Sequence, residues 1–390
     1  MIRLPDGAST NPRLQRWTTC LLTALPVFAS ILWLGGTFHR NYGPTHYFLN
    51  YRHGFLKRAL LGELLLPLHF IGLHTILAIE LVIFATVSAV TYIVFRRTLF
   101  GALQERALAA FLLAAPALLP HLAYLSGDLD NLLYICAVLA LGAFLVMPAN
   151  AAVGCAIALS FVALLIHEAF LLLFYPLLLA IMVDLWQRHR LRRGLVIAQL
   201  VLVALAFFAI LHFGKWSVPH PEYMAAAQQR TDMPLEGTVF LVLSNTLQQQ
   251  LHFVAALYTK QLIAGVLLSC LVSLPYFAML VSLIQDALAA RGYTDRSRWS
   301  LLLLLCTPLL LLPLGHDVMR WISAICINVS LFLLYLYSTA SESDERRALT
   351  DWTTTPLYPA MLGYTLALGA YGIASTRLIT NVGNLLSGRL

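Results

Sequence analysis

Apolar runs close to 20 residues long recur along the whole chain, at 17–36, 72–95, 107–125, 131–148, 150–166, 169–186, 194–214, 261–285, 299–315, 321–340 and 355–375. A bilayer core takes about 20 helical residues to cross. An unbroken apolar run can satisfy its backbone in hydrocarbon only as a helix, because barrel strands are shorter and alternate. The pattern predicts an all-α, polytopic helical membrane protein with about 11 transmembrane helices, residues 1–390 forming a single integral membrane domain. No repeat, low-complexity tract or soluble domain interrupts the series.

The polar breaks between runs are uneven. With the N-terminus cytoplasmic and the C-terminus periplasmic, fifteen Lys and Arg fall in cytoplasmic segments and ten on the other face. That bias is the expected one for a multi-pass protein of a bacterial inner membrane. The short loop QRHRLRR after the sixth run is its strongest marker. Eleven of the twelve His then lie at or near the outer face, His189 being the exception. Three outer turns are short and charged: GDLDN (127–131), HEA (167–169) and GHDVMRW (315–321). Two outer segments are long, the opening stretch 39–69 and residues 215–260. Short interfacial helices are expected in both, the first and fourth outer segments, with Pro44 and Pro67 as breaks in the first. In the fourth, Val239, Leu243, Leu247, Leu251 and Val254 form an apolar stripe opposite Asn245, Gln248, Gln249 and His252, as on a helix lying along the membrane surface.

Composition agrees. The chain is 60% hydrophobic and 11% charged, with a mean hydropathy of +0.79, whereas soluble domains carry about 25% charged residues. All six Cys sit inside apolar runs and form no CxxC pair, which excludes a disulfide framework or a zinc site as an expectation. The first run is long and lacks a small-residue cleavage site, so it reads as a span rather than a signal peptide. Nothing calls for a nucleic-acid partner.

Candidate chemistry gathers outside. Asp128 and Asp130 have D-x-D spacing, which can place two carboxylates on a divalent metal ion or a sugar phosphate; equally, they can cap the helix that follows. His167 and Glu168 break a run too long for one span. A Glu against apolar walls has a raised pKa and suits general acid–base work, although a hairpin also needs polar residues merely to turn. His316, Asp317 and Arg320 form the third turn, where Asp317 and Arg320 can pair and leave Arg320 facing phosphate, or form a structural salt bridge beside Trp321. Arg52, Lys57 and Arg58, with His53 among them, suit a lipid phosphate, bulk head groups or pairing with Glu63. Glu80 lies inside the second run and should face the bundle interior, in a structural or proton-path role.

Many spans, a long first outer loop with a surface helix and charged short outer turns together resemble the GT-C superfamily of bacterial membrane glycosyltransferases. The O-antigen and exopolysaccharide polymerase-like proteins are similar too. The residues carrying the resemblance are GFLKRALLGELL (54–65), GDLDN, HEAFLLLFYPLLL (167–179) and GHDVMRW. It implies a polyprenyl-phosphate-linked sugar donor, used at the periplasmic face in an inverting transfer to a glycan acceptor. An acidic base would deprotonate the acceptor, and basic residues would hold the leaving phosphate. That family's acidic residue in the first outer loop is missing: 39–62 contains no Asp or Glu, and Glu63 is the first. The base must then be Glu63, Asp128, Asp130 or Glu168. On this reading Asp128 and Asp130 bind acceptor or a divalent metal ion and Glu168 is the acid/base. Arg52, Lys57, Arg58 and Arg320 hold phosphate, supported by His53, Glu63, His167, His316 and Asp317. Two other classes stay open: a transporter or flippase of a lipid-linked or anionic solute, favoured by Glu80 and the many His, and a non-catalytic membrane assembly protein.

Overall fold

The computed structural model describes residues 42–52, 54–214, 220–341, 343–372, 375–376 and 378–380. The expected first span at 17–36, together with His39, Arg40 and His53, lies outside them. Among the described residues every regular element is a helix, apart from one isolated bridge between Tyr371 and Thr376.

Six of these helices are long and apolar enough to cross a membrane: Leu73–Leu99, Leu103–Tyr124, Ala149–Ile166, Arg193–Phe213, Lys260–Ala290 and Val318–Ser338. Asp130–Val146, Tyr175–Gln187 and Leu357–Leu368 are apolar but shorter. Burial sorts them. Val318–Ser338 and the run from Leu103 to Tyr124 are enclosed by protein, whereas Arg193–Phe213, Leu73–Leu99 and Lys260–Ala290 form the periphery. The peripheral helices expose Leu81, Val82, Phe208, Phe213, Leu267 and Leu271. Such a surface is costly in water and costless against lipid tails, so the fold fits a multi-pass membrane protein.

Proline explains where the described runs are not single helices. Pro176 has no N–H to give, and the run at 169–186 becomes Phe170–Leu173 and Tyr175–Gln187. The carbonyl of Leu173 accepts from Asn328 Nδ2 of Val318–Ser338, the central helix, at 2.7 Å. Pro116 likewise separates Leu103–Ala114 from Leu119–Tyr124, and its carbonyl accepts from the Tyr371 N–H. The run at 299–315 is a helix only over Asp295–Leu305, followed by 3-10 turns over Thr307–Leu311. The carbonyls beyond it are met by Tyr258 Oη, whose single proton is shared between Leu312 and Gly315, each 2.9 Å away, and by Gln250 Nε2, which donates to Leu314.

The segments 39–69 and 215–260 both contain short helices, although Pro44 lies inside one of them rather than breaking it. Tyr42–Thr45, His46–Phe48 and Leu60–Leu64 occupy the first; His220–Gln228, Gly237–Ser244 and Leu247–Leu257 occupy the fourth. The single amphipathic helix expected across 239–254 breaks at Asn245, where Thr246 opens a new helix by exchanging side-chain and backbone hydrogen bonds with Gln249. The two segments brace each other. Tyr223 Oη bonds both the N–H and the carbonyl of Asn50, the Glu236 N–H donates to Thr45 Oγ1 at 2.9 Å, and Asp232 Oδ1 accepts from the Leu73 N–H at 3.0 Å.

At the opposite end of the bundle, Asp184 is fully buried and accepts from Arg291 Nη1, Tyr293 Oη and Tyr335 Oη. Arg291 also reaches Thr339 Oγ1 and the carbonyl of Leu336, with its Nε 3.2 Å from Glu345. This network ties the central helix to Tyr175–Gln187 and Lys260–Ala290, and it fixes the frame on which the other end is built.

Candidate functional site

Five separate segments meet at the charged end. The opening stretch supplies Tyr42, His46, Lys57 and Arg58, the second supplies Asp128 and Asp130, and the third His167 and Glu168. Asp317 and Arg320 come from the start of the central helix, and Glu80 from about two turns inside the Leu73–Leu99 helix. Tyr42 lies within electrostatic reach of Arg58, Arg320, Asp317 and Asp128 together.

The opening stretch docks on the GDLDN turn by a backbone-to-backbone approach. A Cβ on Gly43 would come within 2.4 Å of the Gly127 carbonyl oxygen and 3.0 Å of Asp128 Oδ1. Gly127 itself has φ +95, a left-handed conformation open to glycine, and a Cβ there would meet Glu80 Oε1 at 2.6 Å. Gly43→Ala should therefore loosen this docking, at a cost of about 1–3 kcal/mol for overpacking. Thermal unfolding in detergent reads the loss, with Gly154→Ala, which has open space around it, as the neutral control. Equal unfolding temperatures for the two variants would contradict the contact.

Arg58 and Glu168 form the tightest ion pair of the site. Arg58 Nε donates to both carboxylate oxygens at 2.9 and 3.0 Å, and Nη2 donates to Oε1. Arg58 reaches this position from a left-handed backbone at φ +64, an uncommon conformation for a residue with a side chain. Lys57 Nζ stands 4.0 Å from Glu168 Oε1. Burial pushes the Glu168 carboxyl up, but Arg58, with Lys57 behind it, outweighs burial and holds the group well below the usual carboxylate range. The raised pKa expected for Glu168 is thus reversed, and with it the basis for an acid/base role. Glu168 anchors Arg58. Burial lowers the Lys57 ammonium, against the pull of Glu168.

The neighbouring imidazoles are neutral. Burial, followed by Arg58, lowers His167 well below its ordinary value. Its Nδ1 accepts the Ala169 N–H at 3.0 Å, so the 3.5 Å approach of that nitrogen to Glu168 is not an ion pair. His46 is lowered to about 3, again by burial and then Arg58. Its Nδ1 faces the carbonyls of Tyr42 and Gly43 and must carry the proton, which leaves a buried Nε2 lone pair without a hydrogen-bond partner. In the sequence His46 is one outer His among many; its fixed tautomer is a product of the one-turn helix before it.

Arg320 stands between two acids. Nη1 is 3.2 Å from Asp317 and Nε is 3.3 Å from Asp130 Oδ2, the latter an ion pair without hydrogen-bond alignment. The Asp317–Arg320 pairing is as the spacing suggested; the bond to Asp130 adds a partner 190 positions away in the chain. His316, half out in solvent, approaches Asp317 at 3.5 Å. Asp128 is half-buried on the turn above and lies within electrostatic reach of Glu80, which is buried in its span as expected.

Two expected members stand apart. Glu63 Oε2 accepts the Tyr51 N–H at 2.8 Å, and Arg52 and Glu63 face Arg230 rather than Glu168. The basic trio of the sequence therefore divides into Arg52 on one side and Lys57 with Arg58 on the other. Among the described residues no three His, Cys, Asp or Glu gather to hold a metal ion, and Asp130, half of the D-x-D pair, is taken by Arg320. The donor set does not fit a protein-held divalent ion, and chelation is expected to leave any activity of the site unchanged; loss of activity in EDTA, restored by Mg2+ or Mn2+, would contradict this.

No protein-family model, curated protein or solved structure matches this chain.

Proposed function

We propose that the chain is a membrane glycosyltransferase or glycan polymerase acting at the periplasmic face of a bacterial inner membrane on a polyprenyl-phosphate-linked sugar. In this reading the shorter apolar helices, residues 17–36 and the broken run at 299–315 complete about eleven spans, with the N-terminus cytoplasmic. The observation that carries it is the meeting of Arg58 and Asp128 around Tyr42, with Lys57 beside Arg58 on Glu168: two cations and a half-buried carboxylate supplied by distant segments. Arg58 is held rigid by Glu168, and rigid donors bind an anion without first being ordered. The Lys57 backbone also packs closely on Gly214, at the end of the most lipid-exposed long helix. A phosphate bound there has hydrocarbon beside it for its polyprenyl tail.

In the transfer, the acceptor hydroxyl oxygen attacks the anomeric carbon and the bond from that carbon to the phosphate oxygen breaks. The phosphate leaves with the bonding electrons, stabilised by Lys57 and Arg58. Asp128 takes the hydroxyl proton. That residue comes from the turn on which the opening stretch docks, within electrostatic reach of Tyr42 and Arg320. Arg320 and Asp317 hold the wall opposite Arg58.

Glu80 favours a second reading, a flippase of the same lipid, because its carboxyl is buried inside a span against the Gly127 turn. Vesicles loaded with polyprenyl-phosphate-linked sugar separate the two. A transferase releases polyprenyl phosphate in step with glycan growth and is silenced by Asp128→Asn. A flippase moves labelled lipid between leaflets without releasing phosphate, and Glu80→Gln is then the damaging change.

A further inference from the structure

A cationic cluster lies at the opposite end of the bundle, apart from the residues of the proposed transfer. A cavity of about 370 Å³ opens there, lined by Asn150, Trp186, His189, Arg190, Leu191, Arg192 and Arg193. The described arginines that pair with an acid are Arg58, Arg291, Arg298, Arg320 and Arg347. Arg190, Arg192 and Arg193 are not among them. Arg188, next to this group, is turned away to the Thr339 carbonyl.

The surroundings add positive potential where relief would be expected. Arg192 is the N-cap and Arg193 the first residue of the Arg193–Phe213 helix, and that helix has no acid in its first turn. Ala149–Ile166, which brings Asn150, also starts without an acid or a side-chain cap. Helix N-termini carry partial positive charge and favour anions, so two of them beside three guanidiniums form a site that protein groups leave uncompensated. The loop holds this arrangement at a conformational cost, since His189 sits in the left-handed region at φ +56.

The cavity also has an apolar side. Trp186 is exposed beside it, with the Arg193 guanidinium 5.7 Å from its ring centroid. Ile197, Leu200 and Val201 continue outward along the most lipid-exposed of the long helices. Phosphate-seeking arginines, a Trp at the level of the helix ends and an open hydrocarbon face below are the three parts that a phospholipid needs.

We propose that this cavity binds the head-group phosphate of an anionic phospholipid, with the acyl chains lying along Arg193–Phe213. The purified protein in nanodiscs of phosphatidylcholine doped with phosphatidylglycerol and diphosphatidylglycerol provides the test, read by native mass spectrometry of retained lipid. The wild type should retain the anionic lipids over phosphatidylcholine. The triple variant Arg190→Gln, Arg192→Gln, Arg193→Gln should weaken that retention on the order of a hundredfold, several-fold for each guanidinium removed from an anionic head group. Its unfolding temperature in pure phosphatidylcholine should match the wild type. Should the triple variant not fold, the three single variants serve, each expected to lose part of the retention. Equal retention by wild type and variants would overturn the proposal. So would stabilisation by inorganic phosphate alone to the same extent as by phosphatidylglycerol, which would make this a site for free anions.

Discussion

Glu168→Gln should destabilise the folded protein by about 3–5 kcal/mol, the cost of leaving a buried charge without its partner. Arg58 and Glu168 are both buried in the fold, and three hydrogen bonds join them. The amide cannot neutralise the guanidinium, which burial then penalises in full. Replacing both residues at once, as Arg58→Met with Glu168→Leu, should recover much of the lost stability, because the desolvation of both charges is removed together. The pH dependence has a definite sign. The Glu168 carboxyl is held below its ordinary value in the folded state, so its contribution is complete above the unfolded carboxylate pKa and is lost as pH falls through the depressed one. The difference between wild type and Glu168→Gln should therefore be constant through neutral pH and shrink only in acid. Thermal unfolding in detergent measures both effects. A single variant as stable as the wild type, or a double variant worse than the sum of the singles, would contradict the pairing.

Asp128→Asn should lower sugar transfer by about 10²–10⁴-fold, the usual contribution of a positioned general base, while the protein stays folded and still binds lipid. Asp128 is a half-buried carboxylate of the cluster, on the turn against which Gly43 and Glu80 pack. The matched variant Asp130→Asn should behave differently. It removes one of the two acids from Arg320, and its main effect should be on stability. Steady-state transfer in reconstituted vesicles, alongside unfolding temperatures, separates the two residues. Full activity in Asp128→Asn would remove it as the base.

The gathering of charge at one end was legible because an ionisable residue that interrupts an apolar run is expensive and therefore stands out. GDLDN, HEA and GHDVMRW announce themselves in that way. Which charge meets which was not legible. Arg58 and Glu168 lie 110 residues apart, and nothing local distinguishes Arg58 from Arg52, six positions earlier. The left-handed turn at Arg58 sends one arginine to Glu168 and leaves the other beside Arg230. The reversal at Glu168 has the same origin: desolvation can be read from apolar neighbours, but a cation from a distant segment cannot. The helix breaks carried a visible signal in Pro116, Pro176 and Pro308, which hydropathy over long windows averages away. Asp184 was visible in the same sense, a lone acid inside an apolar run whose partner Arg291 lies more than 100 residues on.

Lipid mass spectrometry of the purified wild type beside Lys57→Gln is the most direct test of a phosphate-gripping site at the charged end. The wild type should carry a polyprenyl phosphate or its sugar-linked form, and Lys57→Gln should lose it while retaining ordinary phospholipids. If wild type and variant carry the same bulk phospholipids and no polyprenyl phosphate, the charged end is a structural ion-pair network and the glycosyltransferase reading fails.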